Sequence, residues 1–494
     1  MKGECGEIYF ISLQIIFFME NYMTEGNAAK SIAYFSIPLV LSSVFQQLYN
    51  LVDSIIVGNY VGEDALAAVG ASYSITMVFI SIAIGSGIGC AVVISQYYGA
   101  KMIHKMKTSI YTSIIAIAIL SVFLACIGWI MSDFLLQIMK TPDNIFYDAL
   151  SYLKIYFLGL TFMFLYNIIT SIFNALGESK IPLYFLIFSS FLNILLDLIF
   201  VVKLQYGVVG VAIATLIAQG ISAFLSITYL LFNLKKFKTE DEVAIDLGLN
   251  NKSAKVKTNK KENINKRKDS KDIKLFDFAI LKNMNKIAIP SIFQQSFVYI
   301  SIFLVQIIVN TFGSSIIAGY TIATKIDSIT MIPLASFGNA VGTFTAQNIG
   351  AKKIERVKEG LKSSLIIITL MSLAIFAVLF IFGQNIIELF LNKSQSEDAI
   401  DFALKYLRIV SGFYIVKGFM NAYTGVLKGA GDIGVFVLST MLNFLVRLII
   451  VYVFANTIGV SVIYYGVPIG WFVGLLIGYI RYKSEKWKFK SIVK

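Results

Sequence analysis

Long apolar stretches recur along this chain, and their length constrains the fold more than any other feature. Each runs for about 20 residues, the length at which an α-helix crosses the hydrocarbon core of a bilayer. Of the 494 residues, 57% are hydrophobic and 14% are charged, whereas roughly a quarter are charged in a soluble domain. A transmembrane β-barrel would alternate apolar and polar residues over segments of about ten, which this chain does not do. The sequence predicts an all-α polytopic membrane protein.

Charged residues, glycines and prolines divide the apolar sequence into twelve predicted transmembrane helices. The first six are 33–58, 67–95, 108–131, 150–174, 182–203 and 207–232. The second six are 287–311, 316–347, 363–383, 402–427, 434–455 and 458–481. The predicted segments are an N-terminal cytoplasmic segment (1–32), an N-terminal six-helix bundle (33–232), a cytoplasmic linker (233–286), a C-terminal six-helix bundle (287–482) and a cytoplasmic tail (483–494).

The net positive charge of +13 is concentrated in alternate loops. Residues 235–286 alone carry 15 Lys and Arg against 8 Asp and Glu, and more lysines follow at 101–107, 352–358 and 483–494. Cytoplasmic loops carry such an excess, so twelve spans place both termini in the cytoplasm of a plasma-membrane protein. Because topology explains the charge, we expect no nucleic-acid binding. The polar composition of 240–275 predicts a flexible connector.

The two halves of the chain repeat one another. Four pairs of stretches match in the same order at an offset of about 250 residues, which indicates a duplicated unit. They are YVGEDALAAVG (60–70) with TFGSSIIAGYT (311–321), SQYYGAK (95–101) with AQNIGAK (346–352), ALSYLKI (149–155) with ALKYLRI (403–409), and LNILLDLI (192–199) with LNFLVRLI (442–449). Each unit has six spans, so a pseudo-two-fold axis is expected along the membrane normal, with a substrate cleft between the halves.

Two acidic residues lie inside predicted spans of the first half, Asp53 in span 1 and Asp197 in span 5. A carboxylate there costs about 2.5–3.5 kcal/mol on insertion scales, so it must face a cavity or a partner. Asn193 precedes Asp197 by one helical turn on the same face, and Thr215 in span 6 adds a hydroxyl at comparable depth. These oxygen-bearing side chains suit Na⁺, a hard cation, and equally suit a proton. We predict an ion-coupling site at these four residues.

Three more polar residues are candidates for the edge of this ion site or for a substrate cleft: Gln46, Asn50 and Asn167. Gln46 lies two helical turns before Asp53, and Asn50 lies three residues before it.

The second half lacks the equivalent acid, because Arg447 stands at the repeat position of Asp197. Asp327 in span 8 has Lys325 two residues away, which predicts a local ion pair. Lys417 is deep enough in span 10 to face the cleft. The ion site is therefore predicted in the N-terminal half.

Several of these stretches resemble the multidrug and toxic compound extrusion (MATE) family over residues 30–482. They are the run from Pro38 through QQLYNLVDSIIVGNYVGEDALAAVG (46–70), SQYYGAK, FNALGESKIP (173–182), NILLD, IPSIFQQ (289–295) and AQNIGAK. The resemblance implies a twelve-helix antiporter that exports amphipathic, often cationic compounds while sodium ions or protons run back in.

The resemblance also implies which residues couple the ion. MATE members with a coupling site in the N-terminal half use an aspartate of span 1, the Asn-x-x-x-Asp of span 5 and a threonine of span 6. Asp53, Asn193, Asp197 and Thr215 match those positions, and Gln46 matches a polar residue near that site.

Three functions are weighed against one another. Twelve spans and an acidic site in the N-terminal half favour a cation-coupled exporter of amphipathic, cationic drugs, whereas Lys417 and Arg447 keep open a flippase for lipid-linked sugars. A membrane-embedded enzyme would need a nucleophile–base pair, a metal cluster or a cofactor motif, and the single His104 and three scattered cysteines supply none. We therefore expect no enzyme activity, no cofactor besides Na⁺ or H⁺, and small amphipathic molecules and membrane lipids as partners.

Overall fold

The computed structural model describes residues 23–237, 273–390 and 397–493, and these form thirteen α-helices and no strand. The N-terminal lobe contains α1 (Ala28–Tyr60), α2 (Glu63–Gly99), α3 (Ile103–Ile138), α4 (Asp143–Ala175), α5 (Lys180–Asp197) and α6 (Gly207–Leu234). The C-terminal lobe contains α7 (Phe278–Asn310), α8 (Ser314–Gly350), α9 (Ile354–Glu388), α10 (Glu397–Gly412), α11 (Tyr414–Ala430), α12 (Ile433–Ile458) and α13 (Ser461–Lys483). The predicted all-α architecture of two bundles is confirmed. Most of the connector predicted at 240–275 lies outside the described residues.

Ten of the described helices are long and apolar enough to cross a membrane. The others are α8, which is 37 residues long but more polar, and α10 and α11, with 16 and 17 residues. The single helix predicted at 402–427 is wrong, because α10 ends at Gly412 and α11 begins after Phe413, whose ψ of 10° is not helical. Ser411 and Gly412 precede the break, and Gly/Ser pairs are common sites of helix kinks.

The lobes interlock through their first helices. Helix α1 packs against α5 of its own lobe and α8 of the other, and α7 packs in the same way against α12 and α2. Glycines permit this close approach: a Cβ on Gly85 would lie 2.6 Å from the Ile292 backbone, and one on Gly89 would lie 2.6 Å from Ala288 Cβ. The GSGIG stretch (85–89) therefore serves close helix packing, as small residues commonly do between membrane helices.

The repeated glutamine-glycine stretches close one end of the cleft between the lobes. Where α2 crosses α8, Gly99 lies against the carbonyl oxygen of Gln347, and Gly350 lies against the carbonyl oxygen of Gln96. A Cβ at either glycine would overlap that oxygen, so the crossing requires both glycines. The contact is reciprocal because the two stretches are repeat copies.

The glutamine side chains extend this closure. Gln96 Nε2 donates to the Gly429 carbonyl of α11 at 3.0 Å, and Gln347 Nε2 donates to the Ala175 carbonyl of α4 at 2.8 Å. The C-terminal tail covers the crossing, since Ile492 N donates to Gln96 Oε1 at 2.8 Å. We call this crossing, with its two glutamines and two glycines, the tail-end seal.

A partly buried ion pair joins α13 to the start of α12 near the tail-end seal. Arg481 Nε lies 2.6 Å from Asp432 Oδ2, and the side chains are 21% and 5% exposed. Removing one partner of a buried pair leaves the other charge uncompensated and costs about 3–5 kcal/mol, less where water reaches the arginine. We predict that Arg481→Met lowers the melting temperature of the purified protein by several degrees.

Lys405→Met is the matched control, because Lys405 and Asp401 form an ion pair in which both side chains are 58% exposed. Exposed pairs contribute about 0–1 kcal/mol, so this variant should melt close to wild type. Equal shifts for the two variants would contradict a structural role for the Arg481 pair.

Glu178 lies in the loop between α4 and α5, where burial raises the pKa of its carboxyl from 4.5 to about 7 although Lys180 opposes the shift. The folded protein then holds a proton that the unfolded chain releases. The resulting stabilisation is complete below pH 4.5 and is lost as the pH rises through about 7. We predict that the melting temperature of Glu178→Gln falls less steeply between pH 4.5 and about 7 than that of the wild type. An unchanged dependence of melting temperature on pH would refute the raised pKa of Glu178.

Candidate functional site

The two intramembrane acids meet inside the N-terminal lobe. Because α1 packs against α5, Asp53 lies beside Asp197, with the carboxyl groups close enough to share a hydrogen bond. The Asp197 side chain is fully buried, and one oxygen of each carboxyl has no hydrogen-bond partner among the described residues. Two adjacent negative charges are strongly unfavourable away from water, so the pair favours a shared proton or a bound cation.

Asn193 links this acid pair to α6. In the amide orientation that satisfies its neighbours, Asn193 Nδ2 donates to Asp197 Oδ2 at 2.9 Å, and Asn193 Oδ1 accepts from Thr215 N at 3.2 Å. In the other orientation Nδ2 lies 3.4 Å from Thr215 Oγ1. All four residues predicted as ion-coupling therefore lie in one place, on α1, α5 and α6.

Two tyrosines line the acid pair and were not identified from the sequence. Tyr49 on α1 lies near Thr215 and near both carboxyls. Tyr152 on α4 faces the same pair and stacks on Tyr156, with ring centroids 6.4 Å apart. With 26 tyrosines in the chain, no spacing singled these out.

The helix bearing Asp197 changes its winding directly after that residue. Leu198–Lys203 form a π-helical turn, and α5 ends there. Such turns are rare and occur often at functional sites, because they interrupt the regular α-helical hydrogen bonds. The acid pair thus lies beside a segment that departs from regular α-helical hydrogen bonding.

The other three candidates lie elsewhere. Gln46 and Asn50 have exposed side chains on α1, and among the described residues no side-chain hydrogen bond joins either to the acid pair. Asn167 on α4 lines a cavity between the lobes, where its Nδ2 donates to the Met163 carbonyl at 2.9 Å.

That cavity, the interlobe cavity, has a volume of about 380 Å³ and lies next to the tail-end seal. Its volume is within the roughly 300–1,000 Å³ typical of small-molecule sites. Both lobes contribute to its wall, and no carboxylate is among the described residues that line it. Six lining side chains are amides: Asn167, Asn174, Gln294, Gln295, Asn339 and Asn421.

The C-terminal lobe has a mixed cluster where the N-terminal lobe has its acid pair. Asp327 Oδ1 accepts from the Tyr414 hydroxyl at 2.7 Å, with Lys417 and Arg447 nearby. An ion pair between Asp327 and Lys325 was predicted, but the described residues do not form it. One acid beside two bases has little need of a bound cation, which distinguishes this cluster from the acid pair.

The chain is similar to known proteins over most of its length. The MatE family profile matches residues 38–199 and 290–453. "Probable multidrug resistance protein YpnP" from Bacillus subtilis (strain 168) is 26% identical over 472 residues, covering 94% of this chain and 97% of its own length. "Multidrug export protein MepA" from Staphylococcus haemolyticus (strain JCSC1435) is 23% identical over 411 residues, covering 83% of each.

Solved structures share the fold. A structure titled "Crystal structure of MATE in the bent conformation" superposes with a TM-score of 0.81 at 24% identity, covering 96% of this chain and 99% of that chain. A second, titled "Outward-facing conformation of a multidrug resistance MATE family transporter of the MOP superfamily", superposes with a TM-score of 0.80 at 23% identity, covering 94% and 98%. Since the profile matches both halves of the chain in order, this protein belongs to the MatE family.

Proposed function

We propose that this chain exports small amphipathic molecules across the plasma membrane in exchange for Na⁺ or H⁺. The observation that carries the proposal is the acid pair, Asp53 beside Asp197, inside a lobe that also borders a ligand-sized cavity. Membership of the MatE family and the multidrug names of YpnP and MepA support drug efflux.

The coupling ion would bind at the acid pair. A proton would bridge the two carboxyls, whereas Na⁺ would be held by their oxygens together with those of Asn193 and Thr215. Either ion removes the repulsion between Asp53 and Asp197. The π-helical turn at Leu198–Lys203 is the segment of α5 best able to rewind in response.

In the proposed mechanism the substrate crosses the membrane by alternating access. The positive charge of the loops supports a cytoplasmic tail end, and on that orientation the proposed transport cycle takes this conformation as closed toward the cytoplasm at the tail-end seal. Loading from the cytoplasm requires α2 and α8 to separate there. Ion binding at the acid pair changes the packing of α1, which contacts both α5 and α8 and so joins the ion site to the seal.

Transport by inverted vesicles tests this function. Vesicles that contain the protein should accumulate a fluorescent amphipathic dye when a sodium or proton gradient is imposed. This accumulation should stop when the gradient is collapsed. Gradient-independent accumulation would contradict coupling. Movement of a lipid-linked sugar without movement of dye would instead support the flippase.

A further inference from the structure

The interlobe cavity is lined by repeat-related positions. Asn167 and Thr170 of α4 correspond to Asn421 and Thr424 of α11, at one common offset along the chain, and all four line the cavity. The duplicated unit therefore contributes a matched set of neutral hydrogen-bonding groups from each lobe. Such a lining by itself favours neither a cationic nor an anionic ligand.

One repeat pair breaks this symmetry with a charge. Asn174 of α4 corresponds in the second repeat copy to Lys428 of α11. Ile88 of α2 corresponds in the same way to Asn339 of α8. Lys428 Nζ donates to Asn339 Oδ1 at 2.9 Å, so both changes act at one point of the wall. Among the described residues that line the cavity, Lys428 alone carries a formal charge.

Lys428 and two amide oxygens elsewhere in the cavity wall are incompletely hydrogen-bonded. An ammonium has three donors, and the described residues place no carboxylate within ion-pair distance of Lys428. Gln294 is 5% exposed, yet its Oε1 has no hydrogen-bond partner among the described residues, and Asn174 Oδ1 has none either. Both atoms are amide oxygens, so a ligand would complete their hydrogen bonding through a hydroxyl or N–H donor, while the free donors of Lys428 are left for an acceptor.

We propose that the interlobe cavity binds amphipathic molecules with an anionic headgroup, a carboxylate or a phosphate whose oxygens contact Lys428 Nζ. The amide oxygens of Gln294 and Asn174 accept from a hydroxyl or N–H group of the ligand outside its anionic headgroup. Leu39, Ile84 and Phe436 contact its apolar part. Charge-assisted hydrogen bonds to an ammonium are about twice as strong as neutral ones, so this contact dominates the selectivity. The cationic cargo expected from the family resemblance is thereby replaced by an anionic one.

As a statement about cargo, this inference rests on the proposed export function, but binding itself requires no ion gradient. The test is therefore equilibrium binding to the purified full-length protein, measured by fluorescence polarisation. The probes share one fluorophore and one alkyl chain and end in a carboxylate, a phosphate, a hydroxyl or a trimethylammonium group. The carboxylate and phosphate probes should bind roughly tenfold or more tightly than the trimethylammonium probe.

Lys428→Met should remove the preference for the anionic probes over the trimethylammonium probe, whereas Lys428→Arg should retain it. Lys417→Met removes a lysine that does not line the cavity and should leave the preference intact. Melting temperatures establish that each variant is folded, and if Lys428→Met does not fold, Lys428→Gln takes its place.

Preferred binding of the trimethylammonium probe, or an anionic preference that survives Lys428→Met, would overturn the inference. If only the phosphate probe binds, the ligand has a phospholipid-like headgroup. If the carboxylate and phosphate probes bind equally, soluble anionic amphiphiles are ligands too. Anion-selective binding without gradient-driven transport would leave the cavity assignment standing and refute the coupling.

Discussion

Asp197→Asn is expected to abolish gradient-driven dye accumulation in inverted vesicles. The substitution keeps the size of the side chain but removes the charge that pairs with Asp53 around the ion. A hydrogen bond to a charged group contributes about 1.5–3 kcal/mol, so ion affinity should fall by roughly 10- to 150-fold. Initial rates of dye uptake are measured with sodium and proton gradients separately. The wild-type rates identify the coupling ion, and the variant rates measure the loss of transport.

Asp64→Asn is the matched control, because Asp64 is an exposed acid of the same lobe in the first turn of α2. It should transport at the wild-type rate. Dye binding to purified Asp197→Asn protein should also persist, since Asp197 does not line the interlobe cavity. Undiminished gradient-driven transport by Asp197→Asn would refute the coupling assignment, and loss of folding would be visible as a lowered melting temperature.

Gly99→Leu is expected to open the tail-end seal. Even a Cβ at this position overlaps the Gln347 carbonyl oxygen, and backbone cannot yield as a flexible side chain can. Overpacking of this kind typically costs about 1–3 kcal/mol, which should shift the conformational equilibrium toward separation of α2 from α8. Gly350→Leu should act in the same way, because Gly350 makes the reciprocal contact with Gln96.

The opening can be measured as thiol accessibility. In a variant whose native cysteines are replaced, a cysteine at the cavity position Asn174 should react faster with a membrane-impermeant reagent added on the side of the tail-end seal. We expect roughly a tenfold gain, corresponding to about 1.4 kcal/mol. Gly70→Leu on the same helix is the control, because no atom lies within 4 Å of a Cβ there. Equal labelling in Gly99→Leu and Gly70→Leu would contradict the seal.

Hydropathy located the spans well but not their ends. Span 2 was predicted at 67–95, whereas α2 runs from Glu63 to Gly99. Apolar length reports the thickness of the bilayer core, while hydrogen bonding continues the helix into the polar interface. The break at Phe413 was missed because the flanking residues are apolar on both sides and only the pair Ser411–Gly412 signals it.

The site was predictable in its acids and amides, and less so in its surroundings. Asp53 and Asp197 stand out because charge is costly in a membrane helix, and Asn193 follows from helical spacing. Gln46 and Asn50 satisfied similar spacing rules, yet their side chains are exposed, because periodicity places a residue on a face without saying what covers that face. Lys428 passed unnoticed near the end of its helix, where a lysine is ordinary.

The sequence by itself determined the membrane class, the duplication and the chemistry of each lobe, because apolar length, repeat order and buried charge are all properties of the linear chain. Tertiary structure alone decided that Tyr49 and Tyr152 lie beside the acid pair, that Gln96 and Gln347 close one end of the cleft, and that Lys428 lines the interlobe cavity. These contacts join residues far apart in sequence, and they depend on how closely glycine-bearing helices cross. No local pattern records that distance.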